Sequence, residues 1–272
     1  MADVAVSASI KPLQMIASAI TGDHATVSVL ANDVQSAHQF SLTPSDRINL
    51  QNADIVLWIG PQFEIQLAQF LPRYGDTKAL IAATSLPDAV LYELSSSITD
   101  PHIWLSLDNA ELIAATLLNE LVRIDAGNEN FYRANFANFA QDVSQLREQV
   151  SRDFEFVRNR EVPAFAVYHN AFQYFEALAG IKHSFSLVHD PEREPSIREL
   201  LAIQEQLSGI KPRCLFAEPD ANAALLESVL NNSNVQIVFL DLLGQQLRDL
   251  NYFALISGLS SAMSSCLNPQ SG

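Results

Sequence analysis

Four residues could do chemistry together: His38 in "QSAHQFS", His102 in "TDPHIWLSLD", His169 in "AVYHNAF" and Asp241 in "VFLDLLG". They lie far apart in the chain, and none belongs to a local metal motif. There is no C-x-x-C or H-x-x-x-H pair of the kind that builds a finger-type zinc site. Yet each falls at or just beyond the end of a predicted strand, where the residues around an open sheet's ligand crevice are found. Three neutral imidazoles and one carboxylate complete a tetrahedral zinc site. A single loop histidine is usually a partly exposed polar residue, and Asp241 could simply accept backbone N–H bonds at a strand end. It is the joint placement of the four that points to a metal.

Other chemistries find no support. The sequence has no G-x-G-x-x-G, no Walker loop, no G-x-S-x-G and no H-E-x-x-H. The remaining histidines, His24, His183 and His189, read as turn or strand-flanking residues. The cysteines, Cys214 in "RCLFAEP" and Cys266 in "SSAMSSCL", lie in apolar surroundings and read either as a bridge or as two buried thiols.

The elements that must position these residues follow from periodicity. In the second half, strands are expected over 164–168, 183–188, 214–218 and 235–241. Helices alternate with them over 171–180, 195–209, 221–232 and 251–266. The helix over 195–209 opens on a Ser196–Glu199 capping box and ends at Gly209, and Asp220 is the cap candidate of the next one. In the first half, strands are expected over 4–10, 25–31, 53–60 and 89–94. One helix starts with Thr43 as cap and Pro44 at its first position, and another starts near Asp108, with Glu111 in the capping-box position. Between the halves, Tyr132, Phe136, Phe139, Val143, Leu146, Val150, Phe154 and Val157 form one stripe. A single helix spanning them is roughly 38 Å long at 1.5 Å per residue. The expected fold is therefore α/β, with two Rossmann-like lobes, each a parallel sheet flanked by helices. Residues 1–126 form the first lobe, 127–160 a long connecting helix and 161–272 the second lobe. The metal site is expected in the interlobe cleft.

The 272 residues carry 31 acidic against 16 basic side chains, a net charge of −15. That balance argues against nucleic acid and anionic lipid, both of which need clustered Lys and Arg. No apolar run reaches the roughly 18–20 residues of a membrane helix. The opening "MADVAVSASI" lacks the basic and apolar regions of a signal peptide, so either the protein is cytoplasmic or a leader has been removed.

Six stretches then carry a resemblance: "ASIKPLQMIASAITG", "AHQFSLTPSDRINLQNADIVLWIGPQFE", "DPHIWLS", "VYHNAFQYFE", "KPRCLFAEP" and "LDLLG". In this order they resemble the metal-binding subunits of ABC importers of cluster A-I, most closely the zinc-uptake ZnuA type. The resemblance implies two lobes bridged by a rigid helix, with His38, His102, His169 and, as fourth-ligand candidate, Asp241 holding the ion. Histidine at 169 implies zinc, because manganese members of the family resemble one another in having glutamate there, and a third imidazole in place of a carboxylate suits Zn²⁺ over Mn²⁺. It also implies a Cys214–Cys266 disulfide, a periplasmic location with the leader removed, delivery of zinc to a membrane permease, a monomer, and no enzymatic activity. Two features depart from the family. The stretch "ELSSSITDPH" is short and lacks the His-rich loop that many ZnuA-type proteins carry before the second ligand. Ala37 stands where some relatives have an acid beside the first ligand. A manganese or iron protein of the same fold, and a zinc-dependent hydrolase with Asp241 as general base, are the competing readings.

Overall fold

The computed structural model describes residues 4–30, 42–75, 77–95, 98–158, 162–189, 193–230 and 233–268. In chain order the elements are β1 (Val4–Ala8), α1 (Lys11–Thr21), β2 (Ala25–Val29), α2 (Pro44–Asn52), β3 (Ile55–Trp58), α3 (Ile65–Phe70), β4 (Ala79–Ala82), β5 (Glu93–Ser95), β6 (Ile98–Thr99), α4 (Leu107–Ile124) and α5 (Glu129–Asp153). They continue with β7 (Phe165–His169), α6 (Gln173–Ala179), β8 (Phe185–Val188), α7 (Ile197–Ile210), β9 (Cys214–Ala217), α8 (Ala223–Leu230), β10 (Gln236–Phe239) and α9 (Tyr252–Leu267). Packing divides the chain into two units, Met1–Arg147 with Leu243–Leu255, and Glu148–Leu242 with Ile256–Gly272.

Each unit holds one four-stranded parallel sheet. The first is ordered β2-β1-β3-β4 and the second β10-β9-β7-β8. Counted within each unit, the two orders are the same: the second strand, the first, the third, the fourth. The α/β class expected from the alternation is what the structure has. Central strands are continuous apolar runs because helices cover both faces. In β3, Ile55, Val56 and Leu57 are fully buried. In α1, Leu13, Met15, Ile16, Ala17 and Ile20 are likewise buried. The stripe on α5 buries Tyr132, Phe139, Val143, Leu146 and Val150, and Phe154 just past its end, each contributing about 1.5–3 kcal/mol of burial.

Several local expectations hold. Thr43 caps α2 with Pro44 at its first position, and Ser196 with Glu199 forms the capping box of α7. Others need correction. The fourth parallel strand of the first unit is 79–82, not 89–94. "ALIA" is too short and too weakly patterned to announce itself, whereas "AVLYEL" alternates but turns Val90 and Leu91 outward. Residues 93–95 and 98–99 instead pair as a small antiparallel ribbon, β5 with β6. Helix α4 is capped by Ser106, whose hydroxyl accepts from the Asn109 N–H, so Asp108 and Glu111 play no capping part. Helix α7 ends on Lys211 in the left-handed region and not at Gly209. Asn222, not Asp220, caps α8 by accepting from the Leu225 N–H.

The turn after β3 shows why its sequence is constrained. Gly60 has φ +149°, and a Cβ there would lie 2.0 Å from Thr84 Oγ1. Thr84 cannot retreat, because its N–H and hydroxyl both donate to the Ile59 carbonyl at 2.9 Å. Glu64 closes the same turn. Its buried carboxylate accepts from the N–H groups of Ile59 (2.7 Å) and Gly60 (3.1 Å). In the second unit Cys214, the first residue of β9, is bonded to Cys266 in the last turn of α9. That is the pairing the resemblance implies.

Two predictions follow from these anchors. Burial pushes the Glu64 carboxyl from 4.5 up to about 7, although the Ser9 hydroxyl and the two N–H groups pull it down. A raised native value means that the fold is favoured while the group is protonated, and that this advantage fades as pH rises from 4.5 through 7. Glu64→Gln keeps the acceptor and removes the charge. Thermal unfolding is expected to show the variant gaining on the parent by up to about 3 kcal/mol at pH 8 and not at pH 4. Equal effects at both pH values would contradict the burial argument. Reducing the disulfide, which spans 52 residues, is expected to cost about 4 kcal/mol in denaturant titrations.

Candidate metal centre

His102 follows the ribbon directly. The ribbon is tied on one side by the Asp100 N–H to the Tyr92 carbonyl (2.8 Å) and on the other by the Thr99 N–H to Gln62 Oε1 in the turn after β3 (3.4 Å). Asn109 at the start of α4 holds the approach to the ribbon with two bonds, accepting from the Val90 N–H and donating to the Val90 carbonyl, both at 2.8 Å. Proline between Asp100 and His102 favours an extended residue before it, and the carboxylate folds back over the peptide. Asp100 Oδ1 accepts from the His102 N–H (3.0 Å) and lies 2.7 Å from His102 Nδ1. Both side chains are buried. A carboxylate only accepts, so Nδ1 carries the proton and the lone pair is on Nε2. The Trp104 ring lies 5.3 Å from the imidazole, tilted by 56°. The result is a histidine whose tautomer and ring orientation are set before any ligand arrives.

His169 is the last residue of β7. Parallel pairing runs Phe165↔Cys214, Ala166↔Leu215 and Val167↔Phe216. Continued by two residues, that register brings Glu218 beside His169, and Glu218 Oε2 is 3.1 Å from His169 Nδ1. Both residues are buried. Asp241 follows β10, two residues past its end, where the Leu240 N–H still bonds the Ala217 carbonyl (2.8 Å). Because the sheet order is β10-β9-β7, Asp241, Glu218 and His169 stand at the C-terminal ends of three neighbouring strands. A carboxylate beside the second nitrogen of a metal-bound histidine is the usual outer support of a zinc site, and Asp100 and Glu218 stand in that position relative to His102 and His169.

Two further histidines make contacts of their own. His183 precedes β8, at the opposite end of the sheet from His169. Its N–H (3.0 Å) and Nδ1 (2.7 Å) both meet the buried Glu176 carboxylate. His24 packs on the Phe131 ring at 4.1 Å. His38 lies outside the described residues, and among those described no three His, Cys, Asp or Glu side chains converge. Asp100 and Glu218 were not singled out from sequence. The signal for Asp100 was the D-P-H spacing. For Glu218 it was a glutamate closing a strand, but its meaning depends on strand register.

A family model described as "Zinc-uptake complex component A periplasmic" matches residues 6–266. A high-affinity zinc uptake system protein ZnuA of Yersinia pestis is 29% identical, covering 98% of this chain and 92% of its own. The protein of that name from Brucella suis is 23% identical over 97% of this chain and 91% of its own. Among solved structures, a ZnuA crystal structure superposes with a TM-score of 0.83 at 22% identity, over 96% of this chain and 98% of that one. The laminin-binding protein Lmb of Streptococcus agalactiae, described as having adhesin and metal-transporting activity, gives 0.85 at 20% identity, over 97% and 99%. With a family model spanning nearly its whole length, the chain belongs to the family of periplasmic zinc-uptake components of the ZnuA type.

Proposed function

We propose that this protein is a periplasmic, monomeric zinc-binding component that captures Zn²⁺ and passes it to an ABC-type permease without covalent chemistry. His38, His102 and His169 are the ligands, with Asp241 as the fourth. The observation that carries the reading is the pair of buried imidazoles, each with Nδ1 against a buried carboxylate, 2.7 Å for His102 and 3.1 Å for His169. Such rings offer Nε2 in a fixed direction, which suits a metal ligand. Family membership supplies the transport context. The relatives are zinc-uptake proteins by name. The Cys214–Cys266 disulfide fits an oxidising compartment. Among the described residues no helix is long and apolar enough to cross a membrane. A ligand set of three imidazoles and one carboxylate favours zinc over manganese.

Competition titration with a zinc chelator tests the assignment. His38→Ala, His102→Ala and His169→Ala are each expected to weaken zinc binding by more than about 100-fold while the circular dichroism spectrum is unchanged, and Asp241→Ala to weaken it less. Wild-type affinity in all three histidine variants, or tighter binding of Mn²⁺ than of Zn²⁺, would overturn the reading. Asp100→Ala and Glu218→Ala leave the ligands in place and remove their supports, so losses of about 10- to 100-fold are expected. In the metal-free protein, nitrogen NMR of the His102 ring is expected to report the Nδ1–H tautomer and to lose that preference in Asp100→Ala. Zinc competes with protons for imidazole nitrogen, so affinity falls towards acid pH.

A further inference from the structure

Tyr252, in the first turn of α9, is fully buried with its hydroxyl donating to the Trp104 carbonyl at 2.7 Å. The two residues are 148 positions apart in sequence and belong to the same unit. The ring of Tyr252 is held independently of that bond. Phe139 of α5 lies 6.0 Å from it and Phe253 5.7 Å, edge-on. The segment leading into α9 is itself fastened to α1, where Lys11 Nζ reaches the carbonyls of Gln245 (3.3 Å) and Leu247 (3.4 Å). The hydroxyl is thus delivered to one point by packing that does not depend on its target.

That target is two residues beyond His102. The turn over 103–105 starts on the His102 carbonyl, which accepts from the Leu105 N–H at 3.0 Å. Ile103, Trp104 and Leu105 are all buried. Asp100 holds the imidazole by its Nδ1 edge, and the Trp104 ring flanks it at 5.3 Å. Rotation of the turn would move the Trp104 ring and the His102 backbone together, and the direction of Nε2 with them. We propose that Tyr252 is a positioning residue for zinc capture, fixing through the Trp104 carbonyl the turn that aims His102. The inference rests on the zinc-binding reading above.

Tyr252→Phe removes only the hydroxyl. It is expected to weaken zinc binding roughly 3- to 10-fold, less than loss of a direct support of a ligand, and to shift and broaden the His102 ring signals of the metal-free protein. A matched control separates positioning from general stability. Ser260, on the same helix, donates a buried hydroxyl to Asp153 Oδ2 at 2.6 Å in the other unit. Ser260→Ala is expected to lower the melting temperature comparably with no change in zinc affinity or in the His102 signals. If Tyr252→Phe binds zinc as the parent does, or if Ser260→Ala loses as much affinity, the positioning role is overturned. His102→Ala is run beside them. If it too binds zinc normally, the ligand assignment fails and the positioning role goes with it; if it does not bind, a normal Tyr252→Phe overturns the positioning role alone. Should Tyr252→Phe not fold, Phe139→Leu loosens the clamp on the ring with the hydroxyl intact, and parental affinity there overturns the proposal equally.

Discussion

An imidazole can present one nitrogen in a defined direction only if something holds the other. In this protein that constraint is met by a carboxylate taken out of water. Asp100 holds both the peptide N–H and Nδ1 of His102, so backbone and ring are fixed by one group. Burial makes such a contact stronger and its loss more costly. It also explains the density of ties around a short ribbon: Tyr92, Gln62 and Asn109 all fasten the backbone that carries Asp100. Loosening any of them would blur where the imidazole points.

The two units share a strand order but place their histidines differently. In the second unit sheet register is enough, because β7 and β9 are neighbours and their ends bring His169 beside Glu218. In the first unit the carboxylate that follows the equivalent third strand, Glu64, turns instead to the N–H groups of its own turn. Its histidine must come from elsewhere, and a local D-P-H segment supplies both partners from adjacent sequence. One topology therefore positions a histidine by strand register in one unit and by a sequence-local hook in the other.

Much of this was legible from residue order. Parallel strands of the second half show as apolar runs separated by capped helices, and the stripe from Tyr132 to Phe154 shows the long helix. What escaped was set by contacts between distant residues. "ALIA" joins the sheet because β3 offers it an edge, and "AVLYEL" does not, leaving Val90 and Leu91 exposed. The cap of α4 passed to Ser106 because the chain enters that helix from a tight turn. Of the proposed site, His102, His169 and Asp241 could be picked out by their strand-end or loop positions. Glu218 could not, since a glutamate closing a strand has no meaning until the neighbouring strand is known. Tyr252 could not, since nothing local links it to Trp104.

The first unit is discontinuous in sequence: its packing includes residues 243–255 as well as 1–147, and Tyr252 and Phe253 complete the aromatic cluster around Phe139. Those residues follow all four strands of the second unit's sheet in the sequence. In a chain made from its N-terminus, the turn beside His102 therefore gains its tether, and the cluster its last two rings, only after the strands of the second unit have been synthesised.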